Sequence, residues 1–99
     1  MAIQKIELPS GEAYGYVVEL KGVNLVFAVA GGGMLGCGAF NVMVLDKFDY
    51  PAATVRSTDG TPIASIGDLL AGEVNAANEA AERIGVRQGL RGREALELM

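Results

Sequence analysis

The sequence predicts the α+β class, with N-terminal antiparallel strands followed by helices that pack on the sheet in two layers. The first 38 residues are rich in β-branched and aromatic side chains with turn residues between them. The remainder has apolar residues at helical spacing, interrupted by one strand-like segment. Because 99 residues leave room for one core, we expect a single domain, 1–99, mainly β over 1–38 and mainly α with one further strand over 39–99.

Four strands are predicted in the N-terminal part. Ile3 to Leu8 and Tyr14 to Leu20 are separated by a turn and contain the side chains that favour strands. Asn24 to Ala30 returns as a third strand, and Met34 to Cys37 is expected to pair back after a glycine turn. The third strand is apolar on both faces. We therefore expect helices on one of its sides and another subunit on the other.

Helical spacing begins after this region. The segment from Phe40 to Phe48 predicts a helix with apolar side chains on most of its sides, and we expect this helix to be central to the core. Ala53 to Ser57 is the further strand, and Ser65 with Asp68 forms a capping-box pattern that begins a short helix, Ile66 to Leu70.

The C-terminal third is predicted to be helical. Glu73 to Ile84 gives the clearest helical pattern in the chain, with an apolar stripe along one side. Gly85 follows it at the position of a C-terminal glycine cap. Gly92 to Leu98 is expected to form a last short helix.

The segment from Gly22 to Leu45 has no charged side chain, and this permits two other interpretations. Its length suits a membrane-spanning helix, but its many glycines favour a turn over a continuous helix. Gly31, Gly33 and Gly36 also match the G-x-G-x-x-G pattern of dinucleotide-binding loops, which must open into a helix inside a βαβ unit. We favour two strands joined by a turn, and expect no membrane insertion.

The composition excludes several chemistries. With one cysteine and no histidine, the chain can form neither an internal disulfide, a Cys-His dyad nor a Ser-His-Asp triad, and one subunit cannot build a Cys- or His-rich zinc site. We predict no metal and no cofactor. A net charge of −4 argues against nucleic acid as a partner. The N-terminus lacks the pattern of a secretion signal, which predicts a cytoplasmic location.

Four residues are candidates for a ligand site: Cys37, Gly38, Asn41 and Arg56. Cys37 lies between two glycines just before a predicted helix, whose amide groups would favour a thiolate nucleophile, but we favour the alternative, a buried apolar role. Asn41 is placed to bond a ligand or to cap the helix. Arg56 is suited to a carboxylate or phosphate, or to pairing with Asp46, Asp49 or Asp59.

Three segments resemble a known family. They are C-G-A-F-N at Cys37 to Asn41 before the apolar helix, S-I-G-D-L-L from Ser65, and the ending G-L-R-G-R-E-A-L-E-L-M. Together they make nearly the whole chain similar to the YunC-like family of uncharacterised bacterial and archaeal proteins. The resemblance implies an N-terminal β-sheet region that forms a tetramer, and it implies no particular activity. The family's C-G element falls on Cys37 and Gly38.

Two hypotheses about function remain. The first is a cytoplasmic homo-oligomeric assembly or binding protein without catalytic activity, joined through its N-terminal strands. The alternative is a protein that binds a small anionic metabolite, or an enzyme, with its site around Cys37. Because the chain has no histidine to act as a general base, we favour the first hypothesis and leave open whether the protein is an enzyme.

Overall fold

A computed structural model describes residues 1–99 as a six-stranded sheet with helices packed on it. The strands are β1 (Ala2–Leu8), β2 (Gly11–Leu20), β3 (Val23–Ala30), β4 (Gly33–Gly36), β5 (Ala52–Arg56) and β6 (Glu73–Ala77). The helices are α1 (Val42–Leu45), which continues as a 3-10 turn over Asp46–Phe48, α2 (Ile66–Ala71), α3 (Glu79–Arg83) and α4 (Gly92–Leu98). The α+β class with N-terminal strands is confirmed.

The six strands follow one another across the sheet in chain order. All neighbouring pairs are antiparallel except β4 and β5, which are parallel, so the sheet is mixed. A parallel pair needs a crossover connection, which α1 and its 3-10 turn provide here. The carboxyl ends of β4 and β5 therefore lie at the same end of the sheet.

One face of the sheet is covered by α2 and α4 and holds the core. Successive strands contribute fully buried side chains to this face, because residues opposite each other in the register share a face: Ala13, Val26, Ala28, Leu35, Ala53 and Val55. Gly15 of β2 lets α2 approach closely, since a Cβ there would lie 2.6 Å from the Ile66 side chain. The helices that the sequence predicts on one side of β3 are thus present.

The prediction of a central helix over Phe40 to Phe48 is wrong. The structure has only the short α1 and the 3-10 turn there, with Met43, Val44 and Phe48 exposed and Val42 buried. Asp49 then adopts a left-handed backbone conformation with φ 55°. The chain must turn back within this short connection to lay β5 beside β4, which leaves no room for a longer helix.

The prediction of one helix over Glu73 to Ile84 is also wrong. Its first part is strand β6, which pairs with β5, and only its second part is helical, in α3. Asn78 separates the two because its side chain accepts a hydrogen bond from the Ala81 amide and caps α3. Gly85, with φ 95°, follows α3 at the predicted cap position.

The glycine triplet is explained by close backbone approach. Gly31 and Gly32 form the turn between β3 and β4. A Cβ on Gly32 would lie 2.7 Å from the Met99 carbonyl oxygen, and one on Gly33 would lie 2.6 Å from the Pro51 carbonyl oxygen. The loop leads into a strand and not into a helix, which excludes the geometry of a dinucleotide-binding motif.

No helix of the structure has the length and hydropathy that a membrane span requires.

Candidate functional site

A pocket of about 320 Å³ opens at the carboxyl ends of β4 and β5. Its walls are the turn after β4, the last residues of β5, the first residues of β3 and the loop that precedes α2. Ligands commonly bind beyond the carboxyl ends of parallel strands, where the connections diverge and leave a crevice. The crossover thus creates this pocket by placing two distant chain segments side by side.

Three of the four predicted site residues line this pocket: Cys37, Gly38 and Arg56. Cys37 and Gly38 come directly after β4, and Arg56 is the last residue of β5. Asn41 does not line the pocket. Its side-chain oxygen accepts a hydrogen bond from the Met43 amide at 3.2 Å and caps α1.

Cys37 contributes an apolar wall to the pocket. Its side chain belongs to the hydrophobic core, and the residue is only 6% exposed. Its amide donates to the Val26 carbonyl at 2.9 Å, which extends the pairing of β3 and β4 by one residue. This position agrees with the apolar role that the sequence left open for the thiol.

The turn after Cys37 leaves two amide groups free. The Phe40 amide donates to the Cys37 carbonyl at 3.3 Å and closes the turn. The N–H groups of Gly38 and Ala39 within it donate no hydrogen bond to the chain, and both residues line the pocket. Consecutive free amides of this kind form a weakly positive surface that suits an anion.

Arg56 is exposed, and its guanidinium makes neither an ion pair nor a hydrogen bond. None of the three aspartates that the sequence offered as alternative partners is paired with it. Asp49 pairs with Arg83, and Asp46 accepts a hydrogen bond from the Ala80 amide. Asp59 accepts from Thr61 instead. The Arg56 guanidinium is therefore free to bind an anion.

Asp59 is held by local hydrogen bonds in the loop after β5. Its Oδ1 accepts from the Thr61 hydroxyl at 2.6 Å and from the Thr61 amide at 3.1 Å. These bonds stabilise the carboxylate, and they lower the pKa of Asp59 below its ordinary value of 3.8, with the hydroxyl bond the larger cause. The ordered loop brings Thr61 to the pocket wall.

The second notable surface is the sheet face opposite α2 and α4, over β1 to β4. We call it the open face. Its side chains are apolar or aromatic except at one corner, and the register places them together: Ile3, Tyr14, Tyr16, Val18, Leu20, Val23, Leu25, Phe27, Val29 and Met34. Several are largely exposed, with Ile3 at 59% and Val23 at 56%. The corner is occupied by Lys5, which forms ion pairs with Glu7 and Glu12.

Aromatic packing organises the centre of the open face. Tyr16 stacks on Phe27 with ring centroids 5.0 Å apart, and Phe40 meets Phe27 edge to face at 5.4 Å. Phe40 also lies over Gly36, where a Cβ would come within 2.7 Å of its ring. The three rings together form an apolar platform.

Comparison with known proteins identifies a family. Residues 36–99 match the family described as a domain of unknown function, DUF1805. This chain belongs to the DUF1805 family. A comparison with curated proteins gave no match. The fold of this DUF1805 chain is similar to the crystal structure of a protein of unknown function, TA1206, from Thermoplasma acidophilum, with a TM-score of 0.84 and 22% identity over 97% of this chain and 89% of that one.

Several residues that line the pocket of this DUF1805 chain were not predicted from its sequence. Asn24, Ser57 and Thr61 also line it, and Asn24 donates from Nδ2 to the Ala64 carbonyl at 3.1 Å. The polar residues that follow β5 predict a loop there. The other segments that line the pocket lie far from this loop in the sequence, so the sequence does not show that they meet. No group of three or more His, Cys, Asp or Glu side chains is arranged to hold a metal ion.

Proposed function

We propose that this DUF1805 protein is a homo-oligomeric assembly module, acting in the cytoplasm, whose subunits associate through the open face. The observation that supports the proposal is the apolar character of that face in a chain whose other sheet face is already covered. Monomeric proteins rarely expose contiguous apolar patches larger than a few hundred Å². A second copy supplies a matching apolar surface, and closed symmetric assembly is the usual outcome.

The contrast between the two faces strengthens this argument. Val26 and Ala28 of β3 are fully buried under the helices, while Leu25, Phe27 and Val29 on the other face remain partly exposed within one subunit. Pairing of two open faces removes these side chains from water without any change in the core. Four subunits are the number that the YunC-like resemblance implies.

A charge on the open face tests the proposal. Ile3→Asp is chosen because Ile3 is 59% exposed in one subunit, so the change removes little core packing. We expect the wild-type protein to sediment as an oligomer and the Ile3→Asp variant to sediment as a folded monomer, because a buried unpaired carboxylate opposes association. Val29→Asp should act in the same way at the centre of the face.

Gln4→Asp is the matched control, since Gln4 is an exposed neighbour on the opposite face of β1. It should leave the sedimentation coefficient unchanged, and circular dichroism should show that all variants are folded. A wild-type protein that is monomeric at micromolar concentration would contradict the proposal. So would an Ile3→Asp variant that stays assembled.

A further inference from the structure

We infer that the pocket at the carboxyl ends of β4 and β5 binds a small monocarboxylate with a short aliphatic chain. Three features of the pocket support this ligand class: a free guanidinium, free backbone amides and an apolar lining. Every group that the inference uses belongs to one chain, and Val23 is the one pocket residue that also lies on the open face.

Arg56 supplies the charge for the carboxylate. Its guanidinium has no partner within the chain, and Asp46, Asp49 and Asp59 are engaged with other groups. A guanidinium presents parallel N–H groups whose geometry fits both oxygens of a carboxylate. The four residues of β5 that precede Arg56 are buried, so the strand fixes the position from which the side chain extends.

The amides of Gly38 and Ala39, in the turn after the neighbouring strand β4, supply further donors. Neither N–H group is bonded within the chain. No atom lies within 4 Å of the place where a Cβ on Gly38 would be, so the space beside this backbone is open to a ligand. A carboxylate that binds these amides together with Arg56 would receive both backbone and guanidinium donors, which is how proteins commonly hold small anions.

The other residues that line the pocket favour a ligand with an aliphatic chain. Most of the remaining wall consists of Val23, Cys37, Val55, Pro62 and Ile63, and none of their side chains offers a strong hydrogen-bonding group. A fully hydrated anion such as inorganic phosphate gains nothing from such a surface, whereas a hydrocarbon chain does. The volume, about 320 Å³, is at the lower end of the range for ligand pockets, about 300–1,000 Å³, which restricts the chain to a few carbons.

Titration with butyrate, followed by amide NMR, tests the inference. We expect saturable shifts of the Gly38 and Ala39 amides with butyrate, and much weaker shifts with n-butanol, which has the same number of carbon atoms but no charge. Arg56→Gln should weaken butyrate binding about tenfold or more, because it removes the charged donor. Arg87→Gln, at another exposed arginine outside the pocket lining, should bind butyrate as the wild type does.

A second variant tests the backbone donors. Gly38→Pro removes one N–H group at the second position of the turn, where proline is compatible with the turn geometry, and should also weaken binding. The inference is overturned if butyrate causes no saturable shift, or if Arg56→Gln binds it as tightly as the wild type. It is equally overturned if inorganic phosphate binds more tightly than butyrate, because the apolar lining would then have no role.

Discussion

Asn78 joins several parts of the fold that lie apart in the sequence. It is fully buried, and its Nδ2 donates to the carbonyls of Val42 at 3.0 Å and Tyr50 at 2.8 Å. Its Oδ1 accepts from the amides of Ala52 at 3.1 Å and Ala81 at 2.9 Å. One side chain thus uses all its hydrogen-bonding capacity to hold α1, the start of β5 and the start of α3 together.

Asn78→Ala should therefore be strongly destabilising. The change leaves two buried carbonyls and two amides without their partner, and we expect the free energy of unfolding to fall by about 3–5 kcal/mol. Urea denaturation measures this loss. Asn75→Ala, at an exposed position of the neighbouring strand, should change it by about 0.5 kcal/mol or less. A loss below about 1 kcal/mol for Asn78→Ala would show that the network contributes little.

The Thr61 hydroxyl controls the titration of Asp59. Thr61→Val removes the main cause of the lowered pKa of Asp59, so the pKa should rise toward the ordinary value of 3.8 while the bond from the residue 61 amide persists. A lowered pKa in the folded state stabilises the fold above the ordinary value, and this contribution is lost as the pH falls through the lowered pKa. Carbon-detected NMR of the carboxyl group measures the shift. Thr58→Val, at an exposed neighbour, should leave the titration of Asp59 unchanged.

At the scale of single elements, features that depend on nearby residues could be predicted from the sequence, whereas features that depend on distant residues could not. Ser65 caps α2 through the Asp68 amide as predicted, and Gly85 ends α3 as predicted, because both depend on residues a few positions away. Glu73 to Ala77 has helical spacing but pairs with β5, whose free edge offers hydrogen bonds that the local pattern does not reveal. The role of Asn78 depends on partners up to 36 residues away.

The parallel pair of β4 and β5 depends on Gly33. The Met34 amide donates to the Pro51 carbonyl at 3.0 Å, and a Cβ on Gly33 would lie 2.6 Å from that carbonyl oxygen. Gly33→Ala would have to push the two strands apart, so we expect it to lower the free energy of unfolding by about 1–3 kcal/mol. Gly31→Ala is the control in the same turn, since no atom lies within 4 Å of its added Cβ. Equal stability of the two variants in urea denaturation would contradict this role.

At the scale of the whole molecule, topology decides which predicted residues meet. Cys37 and Arg56 are 19 positions apart, and the crossover between parallel strands brings both to one pocket. The sequence identified these residue types but gave no sign that β5 would lie parallel to β4, so the pocket itself was not predictable. Asn41 was expected beside them, yet the start of α1 directs its side chain to the local backbone.

The two faces of the sheet also determine how the molecule should respond to dilution. Under the proposed association, burial of the apolar open face between subunits would add to the stability of the folded state by mass action, and the midpoint of thermal unfolding should rise with protein concentration. For a chain of this size we expect a rise of about 5 °C or more over a hundredfold range. Differential scanning calorimetry at several concentrations measures it.

The Ile3→Asp variant separates this effect from the stability of one subunit. Its core lies under α2 and α4 and is complete within one chain, so the variant should unfold cooperatively at a midpoint that does not change with concentration. Added NaCl should have little effect on the wild-type midpoint, because the few charges of the open face are paired at one corner. A wild-type midpoint independent of concentration would mean that the open face stays in contact with water. A steep dependence on salt would instead place the subunit contact on a charged surface.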